Sequence, residues 1–303
     1  MKNIIVEGHR GYCAKYPENT MISFEAAIDL GVDAFEFDVW LSKDKEAVIM
    51  HDGNGNRTCG VNKHVRDMTY VEIKKELEPA YTEKFGDAFV GMGLTVPSLR
   101  EVCELVNEKR PGMSLGVEIK EYTEECVDIT VAILKEYGLF NNAWFYAFDA
   151  QTLKWIKTKY NGRTMGYPDF QMRNWQNGDY QYYEEIGLSM NIVKSEIFPI
   201  YAAKNMPMHM FCADTEDDVC LCIEKRGSPH YRQRSRASYE KTRKIINSIT
   251  QMFMHMESIT DTNLIPFFRK LHRRSGKRRS NSPINRAKRP KFTPYNANLS
   301  EWE

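Results

Sequence analysis

Two carboxylate residues alternate with apolar residues in the segment Ala34-Phe35-Glu36-Phe37-Asp38-Val39. Successive side chains of a β-strand point to opposite faces, so Glu36 and Asp38 share one face and the apolar residues share the other. Two carboxylates held ~6–7 Å apart on an apolar strand repel each other and lose hydration, so one takes up a proton unless a cation lies between them. The pattern therefore predicts a hard cation at this face; the alternative is a solvent-facing edge strand.

Two histidines end the strands predicted on either side of this one. His9 follows the first apolar run and precedes Arg10, and His51 follows Val48-Ile49-Met50 and precedes Asp52. A single histidine at a strand end is most often a structural, hydrogen-bonded residue. Two of them beside a carboxylate strand favour proton transfer, because neutral and protonated imidazole are both accessible near neutral pH.

A later strand, Leu115–Lys120, places Glu118 and Lys120 on one face. The combined set offers three carboxylates for a divalent metal (Glu36, Asp38 and Glu118), two imidazoles for proton transfer and two cations for an anion (Arg10 and Lys120). Oxygen-only ligands suit Mg²⁺ or Ca²⁺ better than zinc. Cations around two histidines suit a phosphoryl group, whose developing charge they stabilise, so the residues predict phosphodiester cleavage.

These residues need a scaffold that brings strand ends together, and short apolar runs alternate with helical patterns through residue 224. This alternation predicts repeated βα units around a parallel sheet, either a barrel or a doubly wound fold. The side chains named above lie at or near the carboxyl ends of strands, where α/β barrels gather catalytic groups. The predicted strands are Asn3–Gly8, Ala34–Leu41, Ala47–Met50, Ser114–Ile119, Ala143–Ala147, Thr164–Gly166, Met190–Lys194 and Met208–Cys212. The predicted helices are Pro17–Leu30 with Asn19 as N-cap, Tyr70–Leu77, Ser98–Asn107, Glu124–Tyr137 and Glu216–Arg226.

The composition excludes a wholly disordered chain and a membrane-embedded one. Of the 303 residues, 42% are hydrophobic and 27% are charged, and no apolar run reaches the length of a membrane span. The seven cysteines are odd in number and lie among apolar neighbours, which argues against a disulfide framework. These features predict a soluble protein of a reducing compartment, the cytoplasm.

The net charge of +1 is the sum of two unlike parts. Residues 225–303 hold 19 Lys+Arg and 5 Asp+Glu, a net charge of +14, which leaves −13 for residues 1–224. Tyr239–Met256 has the spacing of an amphipathic helix. Arg269–Lys291 has few apolar residues to bury, so disorder is expected there.

The motifs resemble, in order and approximate spacing, those of the glycerophosphodiester phosphodiesterase family over residues 3–227. They are His9-Arg10-Gly11, Pro17-Glu18-Asn19-Thr20, Glu36-x-Asp38, His51-Asp52, Thr95-Val96-Pro97-Ser98-Leu99 and Glu118-x-Lys120. The resemblance implies a TIM-type (β/α)8 barrel, with residues 53–97 inserted over the site after the third strand. It also implies a small-molecule substrate, a glycerophosphodiester such as glycerophosphocholine, cleaved to an alcohol and glycerol 3-phosphate.

The resemblance also implies roles for individual residues. Glu36, Asp38 and Glu118 would hold one divalent ion, and His9 and His51 would be the acid/base pair. We assign His9 as the base and His51 as the acid, and the residues leave the reverse assignment open. Arg10 and Lys120 would bind the phosphate. Glu18, Asn19 and Asp52 would support the site, with Asp52 orienting His51, and Phe211 would line a substrate pocket. The nucleophile is either water or the 2-hydroxyl of the glycerol, which would form a cyclic phosphate first.

The chain departs from the family pattern near its end. Family members carry a strand with Trp-Thr-x-Asn, whereas this chain reads Met210-Phe211-Cys212-Ala213-Asp214. Polar residues follow Gly227 where an apolar strand is expected to close the barrel, and Ser258-Ile259-Thr260-Asp261 only faintly echoes the closing motif. An open barrel leaves strand edges unpaired. The basic tail, 228–303, is then an extension that docks a helix across the gap, a binder of nucleic acid or anionic membrane, or a non-native segment produced by out-of-frame translation.

Two rival functions follow from these features. A related barrel phospholipase that cleaves intact phospholipids would share the two-histidine chemistry. A non-catalytic binding protein would use the basic tail to contact nucleic acid or an anionic membrane, with the barrel as a remnant.

Overall fold

The computed structural model describes residues 5–226. The basic tail 228–303 lies outside the described residues, together with the predicted helix Tyr239–Met256, the segment Arg269–Lys291 and the echo of the closing motif at Ser258–Asp261. Within the described part the structure contains eight strands, ten α-helices and five short 3-10 helices. The strands are β1 (Glu7–Gly8), β2 (Ala34–Leu41), β3 (Ala47–Ile49), β4 (Ser114–Ile119), β5 (Ala143–Tyr146), β6 (Arg163–Gly166), β7 (Glu185–Ser189) and β8 (Met208–Phe211). The helices are α1 (Met21–Leu30), α2 (Asn56–Cys59), α3 (Tyr70–Glu76), α4 (Thr82–Phe85), α5 (Leu99–Lys109), α6 (Glu124–Glu136), α7 (Ala150–Tyr160), α8 (Met190–Lys194), α9 (Phe198–Ala202) and α10 (Glu216–Arg226).

Seven of the strands form one curled parallel sheet in the order β1-β2-β4-β5-β6-β7-β8. Helices α1, α5, α6 and α7 each lie between two consecutive sheet strands along the chain, as βα units require. The predicted α/β barrel is thereby confirmed as the fold class. Because the strands are parallel, their carboxyl ends meet at one edge, and the site is built there.

The sheet has two open edges within the described residues. There β1 pairs only with β2 and β8 only with β7, and no further strand of residues 5–226 closes the sheet between them. Side chains span part of this gap, since Nε2 of His209 lies 3.3 Å from Oε2 of Glu7. The hydroxyl of Tyr146 also donates to Glu7, at 3.2 and 3.3 Å from its two oxygens.

The third strand differs from the prediction in direction. β3 pairs antiparallel with β2, with Val39 opposite Ile49 and Leu41 opposite Ala47. A hairpin therefore returns the chain along β2, and the backbone N–H of Met50 donates to the carbonyl of Asp38 at 3.0 Å. His51 reaches the level of the carboxylates by this return and not as the end of a parallel barrel strand.

Two other boundaries were wrong. The segment Met190–Lys194 is helix α8, and the strand is Glu185–Ser189 just before it. Buried apolar residues recur at every second position from the strand into the first turn of α8, as Met190 and Ile192 show, so the alternation does not mark where the strand ends. Helix α1 begins at Met21 with Thr20 as its N-cap, so Asn19 is not the cap that the sequence suggested.

The core lies between the sheet and its helices. Phe35 and Phe37, on the face of β2 opposite the carboxylates, are fully buried, and Phe35 stacks on Phe24 of α1 with ring centres 4.8 Å apart. Because this apolar face packs against α1, the other face of β2, with Glu36 and Asp38, is turned toward the inside of the curled sheet. Among the residues that the structure describes, none of the helices combines the length and the apolar character that crossing a bilayer requires.

Candidate active site

Three buried carboxylates meet on the inner face of β2 and β4. In the strand register Asp38 lies opposite Glu118, and Glu36 lies opposite Gly116. A side chain at 116 would collide with Glu36, since a Cβ there would lie 2.9 Å from the Cβ of Glu36. One oxygen from each of Glu36, Asp38 and Glu118 falls within 4.8 Å of the others. The sequence-predicted set is therefore brought together.

The donor set fits a divalent cation. Oε1 of Glu36 and Oδ1 of Asp38 are buried and have no hydrogen-bond partner within residues 5–226. Burial, followed by the charges of Asp38 and Glu118, raises the pKa of Glu36 well above its ordinary value. Burial acts to raise the pKa of Asp38 as well, but the charges of His51, Arg10 and Lys120 lower it to about 2. The repulsion among the three carboxylates thus favours uptake of a positive charge, and a hard cation bound by oxygen ligands can supply it.

The loop after β1 wraps the carboxylates from one side. The backbone N–H of Arg10 donates to Oε2 of Glu36 at 2.9 Å, and Nε2 of His9 lies 4.0 Å from the same oxygen. Asn19 donates through Nδ2 to Oδ2 of Asp38 at 2.8 Å. Its left-handed backbone, with φ of 55°, turns the chain into α1 just after this contact.

The segment after β3 also reaches the carboxylates. Nδ1 of His51 lies 2.7 Å from Oδ1 of Asp52, as expected for an orienting carboxylate. Nε2 of His51 lies 3.2 Å from Nζ of Lys120, which donates to Oε1 of Glu118 at 3.1 Å. Burial acts to lower the pKa of Lys120, but the carboxylates of Glu118 and Asp38 raise it above its ordinary value overall. Lys120 is therefore a fixed cation beside His51.

The two histidines differ in exposure. The side chain of His9 is 43% exposed, and that of His51 is 12% exposed. Desolvation, and next the charge of Arg10, lowers the pKa of His9 to about 3. Because much of the side chain still reaches solvent, water screens part of this effect. His9 is neutral at pH 7 and can accept a proton.

The model of the glycerophosphoryl diester phosphodiesterase family matches residues 9–222, well over half of the chain. The chain belongs to this family. The expected resemblance is thereby confirmed over the part that carries all of the residues described above.

Two curated members of the glycerophosphodiester phosphodiesterase family illustrate the similarity. A glycerophosphodiester phosphodiesterase of Bacillus altitudinis is 40% identical over 37% of this chain and 43% of its own length. One of Caldanaerobacter subterraneus subsp. tengcongensis is 34% identical over 52% of this chain and 63% of its own length. The chain thus spans about half the length of the curated relatives it matches.

Solved structures of the family share the fold. A phosphodiesterase of Oleispira antarctica, solved in complex with the product sn-glycerol-3-phosphate, matches with a TM-score of 0.63 and 23% identity. The match covers 78% of this chain and 97% of that one. This likeness supports the fold, and the family is metal-dependent in general, in agreement with the carboxylate cluster.

Phe211, the family position that differs from Trp, lies at the end of β8. Its ring packs edge-on against Tyr167, which follows β6, with ring centres 5.7 Å apart. Tyr167 in turn stacks on Phe148, which follows β5, at 3.7 Å. Side chains from the carboxyl ends of β5, β6 and β8 thus form an aromatic row at this edge of the sheet.

One residue of the network was missed by the sequence reading. Arg57 of α2 donates through Nε to Oδ2 of Asp52 at 2.6 Å and through Nη2 to Oε1 of Glu18 at 2.7 Å. The same Oε1 accepts from Nη1 of Arg10 at 2.8 Å. A single arginine in a polar loop carries no periodic signal, so its contact with Glu18, 39 residues away, is visible only in three dimensions.

Proposed function

We propose that this chain hydrolyses glycerophosphodiesters to an alcohol and glycerol 3-phosphate. The observation that carries the proposal is the buried carboxylate cluster Glu36, Asp38 and Glu118, with His9 and His51 beside it. Family membership supports the reaction class, and the relative solved with sn-glycerol-3-phosphate supports the product.

The two imidazoles divide the proton transfers. The attacking oxygen, from water or from the 2-hydroxyl of the glycerol, forms a bond to phosphorus and loses its proton to His9. The bond from phosphorus to the leaving alcohol breaks as His51 supplies a proton to that oxygen. The neutral state of His9 supports its assignment as the base. The contact of His51 with Asp52 supports an oriented acid.

The cations receive the phosphate. Lys120 is 11% exposed, lies beside His51 and is proposed to bind a non-bridging oxygen, while Arg10 is proposed to bind it from the opposite loop. Nε of Arg10 is buried, and no acceptor within residues 5–226 forms a hydrogen bond with it. Such positioned donors stabilise charge that develops during the displacement.

The metal ligands are proposed to be Glu36, Asp38 and Glu118, with Mg²⁺ or Ca²⁺ as the ion because all of the donors are oxygens. When bound, the ion supplies Lewis-acid polarisation of the phosphoryl group. The aromatic row that includes Phe211 is proposed to border the leaving group.

The test is metal-dependent release of glycerol 3-phosphate from glycerophosphocholine by the purified full chain, with and without a chelator. We expect release that the chelator stops and that Mg²⁺ or Ca²⁺ restores. His9→Ala and His51→Ala should each abolish release while the fold and cation binding persist. Near-normal turnover in either variant would overturn the acid/base assignment.

A matched control is His64→Ala. His64 belongs to the insertion 53–97 and packs edge-on against Trp40, with ring centres 5.3 Å apart. Its loss should leave the turnover number within about threefold of wild type, since it contacts neither carboxylates nor proposed acid/base groups of the cluster. Phosphatidylcholine offered in parallel tests the phospholipase alternative, because that enzyme would prefer the intact, diacylated substrate.

Absence of any hydrolysis, with nucleic-acid binding that weakens steeply as salt rises, would favour the alternative in which the basic tail is the functional part. We also propose a reducing, cytoplasmic location. The support is that all seven cysteines fall within the described residues as free thiols, two of them fully buried.

A further inference from the structure

Arg57 contacts two carboxylates that lie on different segments of the chain. Its Nε donates to Oδ2 of Asp52 at 2.6 Å, and its Nη1 and Nη2 donate to the two oxygens of Glu18 at 3.0 and 2.7 Å. The guanidinium carbon also lies 5.1 Å from the centre of the Tyr81 ring. The planar fork of an arginine suits such two-sided bonding, whereas the point charge of a lysine does not.

These two carboxylates contact two different segments of the site. Asp52 uses its other oxygen, Oδ1, to contact Nδ1 of His51 at 2.7 Å. Glu18 also accepts from Nη1 of Arg10 at 2.8 Å. Arg57 therefore joins the hairpin that carries His51 to the loop that carries His9 and Arg10.

The surroundings of Glu18 and Asp52 favour the ionised form of both carboxylates. Burial acts to raise the pKa of Glu18 and of Asp52, but hydrogen bonds and the charges of their cationic partners lower both pKa values overall. An ionised carboxylate only accepts hydrogen bonds, so Nδ1 of His51 carries a proton that faces Asp52. Nε2 is then left to face Lys120 and the space above the carboxylates.

We infer that Arg57 is a positioning residue: by holding Asp52 and Glu18 together, it fixes the ring orientation of His51 relative to the Arg10 loop. As a role in catalysis the inference rests on the proposed function. The insertion thereby takes part in assembling the site. Its helix α2 supplies the guanidinium that joins the segment after β3 to the loop after β1.

The kinetic test compares wild type with Arg57→Ala and Arg57→Lys. We expect Arg57→Ala to lower kcat about 10- to 100-fold, the usual effect of removing a group that orients a ligand or catalytic side chain, with KM within about threefold. The kcat of Arg57→Lys should lie between those of wild type and Arg57→Ala, because lysine keeps the charge but cannot donate to both carboxylates at once as the planar guanidinium does. A rise in KM with unchanged kcat would overturn the inference, since it would make Arg57 a binding group.

A double-substitution cycle tests whether Arg57 acts through Asp52. In the Asp52→Asn background the orienting contact is already impaired, so Arg57→Ala should lower kcat by less than about threefold. The same loss as in wild type would mean that Arg57 acts elsewhere and would overturn the inference. If Arg57→Ala unfolds below the assay temperature, Arg57→Lys carries the same comparison.

Arg66→Ala is the matched control. Arg66 belongs to the same insertion, its Nε lies 3.3 Å from the buried carboxylate of Glu121, and its guanidinium covers Trp40 at 5.3 Å. It bridges the insertion to the barrel as Arg57 does, but it contacts neither Asp52 nor an imidazole ring. Trp40 itself donates from Nε1 to the backbone carbonyl of His51 at 3.1 Å, away from the ring. The kcat of Arg66→Ala should stay within about threefold of wild type. If it falls as far as that of Arg57→Ala, both arginines act only by holding the insertion in place, and the inference is overturned.

A readout without turnover separates this inference from the proposed function. Nitrogen-15 spectra of ¹⁵N-histidine-labelled protein at mildly alkaline pH, assigned with His51→Gln, should show a proton fixed at Nδ1 of His51 in wild type and exchanging between both nitrogens in Arg57→Ala. An unchanged spectrum would overturn the positioning role. If wild type hydrolyses no glycerophosphodiester and the spectrum still changes, the proposed function fails while the positioning of His51 by Arg57 stands.

Discussion

Nζ of Lys120 lies 3.2 Å from Nε2 of His51, although the two residues are 69 positions apart in the sequence. Lys120 follows β4 directly, and its backbone N–H donates to the carbonyl of Val39 at 3.1 Å. His51 arrives from the opposite direction, by the antiparallel return of β3 along β2. The contact therefore depends on two elements that meet only because β2 pairs with both β3 and β4.

Lys120→Met should have opposite effects on turnover and on cation binding. Nζ of Lys120 lies 3.1 Å from Glu118 and 3.8 Å from Asp38, so it competes with a bound cation for the same carboxylates. Unit charges about 4 Å apart interact by roughly 4 kcal/mol at an effective dielectric constant of about 20, so even partial relief should tighten cation binding about tenfold or more. Turnover should fall at least about 100-fold, because a donor to the phosphate is lost.

Isothermal titration with Mg²⁺ or Ca²⁺ and a glycerol 3-phosphate release assay check the two effects. Lys45→Met is the control, since Lys45 pairs with Glu125 at the surface and should change neither quantity. Weaker cation binding in Lys120→Met would contradict the competition described above.

Much of the site is predictable from the sequence because strand periodicity is local. Glu36 and Asp38 share the inner face of β2 through alternation alone, and the same rule places Glu118 and Lys120 on the sheet. Their convergence follows from parallel strands ending at one edge.

A divalent cation should stabilise the wild-type fold. Glu36, Asp38 and Glu118 are buried within 4.8 Å of one another, so a bound ion relieves their repulsion in the folded state alone. Mg²⁺ or Ca²⁺ should raise Tm in a thermal melt, and the rise should shrink as the pH is lowered, since the raised pKa of Glu36 lets a proton compete with the ion. Glu36→Gln should lose the rise, and Glu125→Gln, at a half-exposed ion pair, should keep it. A full rise in Glu36→Gln would remove this residue from the ligand set.

The parts that the sequence did not predict share a physical cause. The antiparallel direction of β3 depends on how the chain returns after Leu41, and an apolar run of three residues has no directional signal. The contact of Arg57 with Glu18 depends on the folding of a polar loop. Asn19 has the composition of an N-cap, but its side chain donates to Asp38 instead, so a tertiary contact overrides the local preference.

Glu7 should make stability depend on pH. Burial raises its pKa from the ordinary 4.5 to about 8, although the hydrogen bond from Tyr146 acts to lower it. A carboxyl group with a higher pKa in the folded state contributes stability that is present below the unfolded pKa and lost as the pH rises through the folded pKa. Between about pH 5 and pH 9 the unfolding free energy should therefore decline less steeply in Glu7→Gln than in wild type.

Urea unfolding at several pH values, in the presence of a chelator, measures this difference. Glu136→Gln serves as control because its side chain is 58% exposed, and its profile should follow that of wild type. Equal slopes for Glu7→Gln and wild type would show that Glu7 titrates alike in both states.

Phe35 should separate the stability of the scaffold from the chemistry of the site. Its side chain is fully buried and stacks on Phe24, on the face of β2 opposite Glu36. Phe35→Ala should lower the unfolding free energy by about 3–5 kcal/mol through lost burial and the cavity left behind. Phe170→Ala, at a residue 58% exposed, should stay within about 0.5 kcal/mol of wild type. Because the carboxylates project from the other face, cation affinity of Phe35→Ala measured well below its Tm should match wild type. A loss of affinity in the folded variant would mean that the apolar layer also sets the spacing of the ligands.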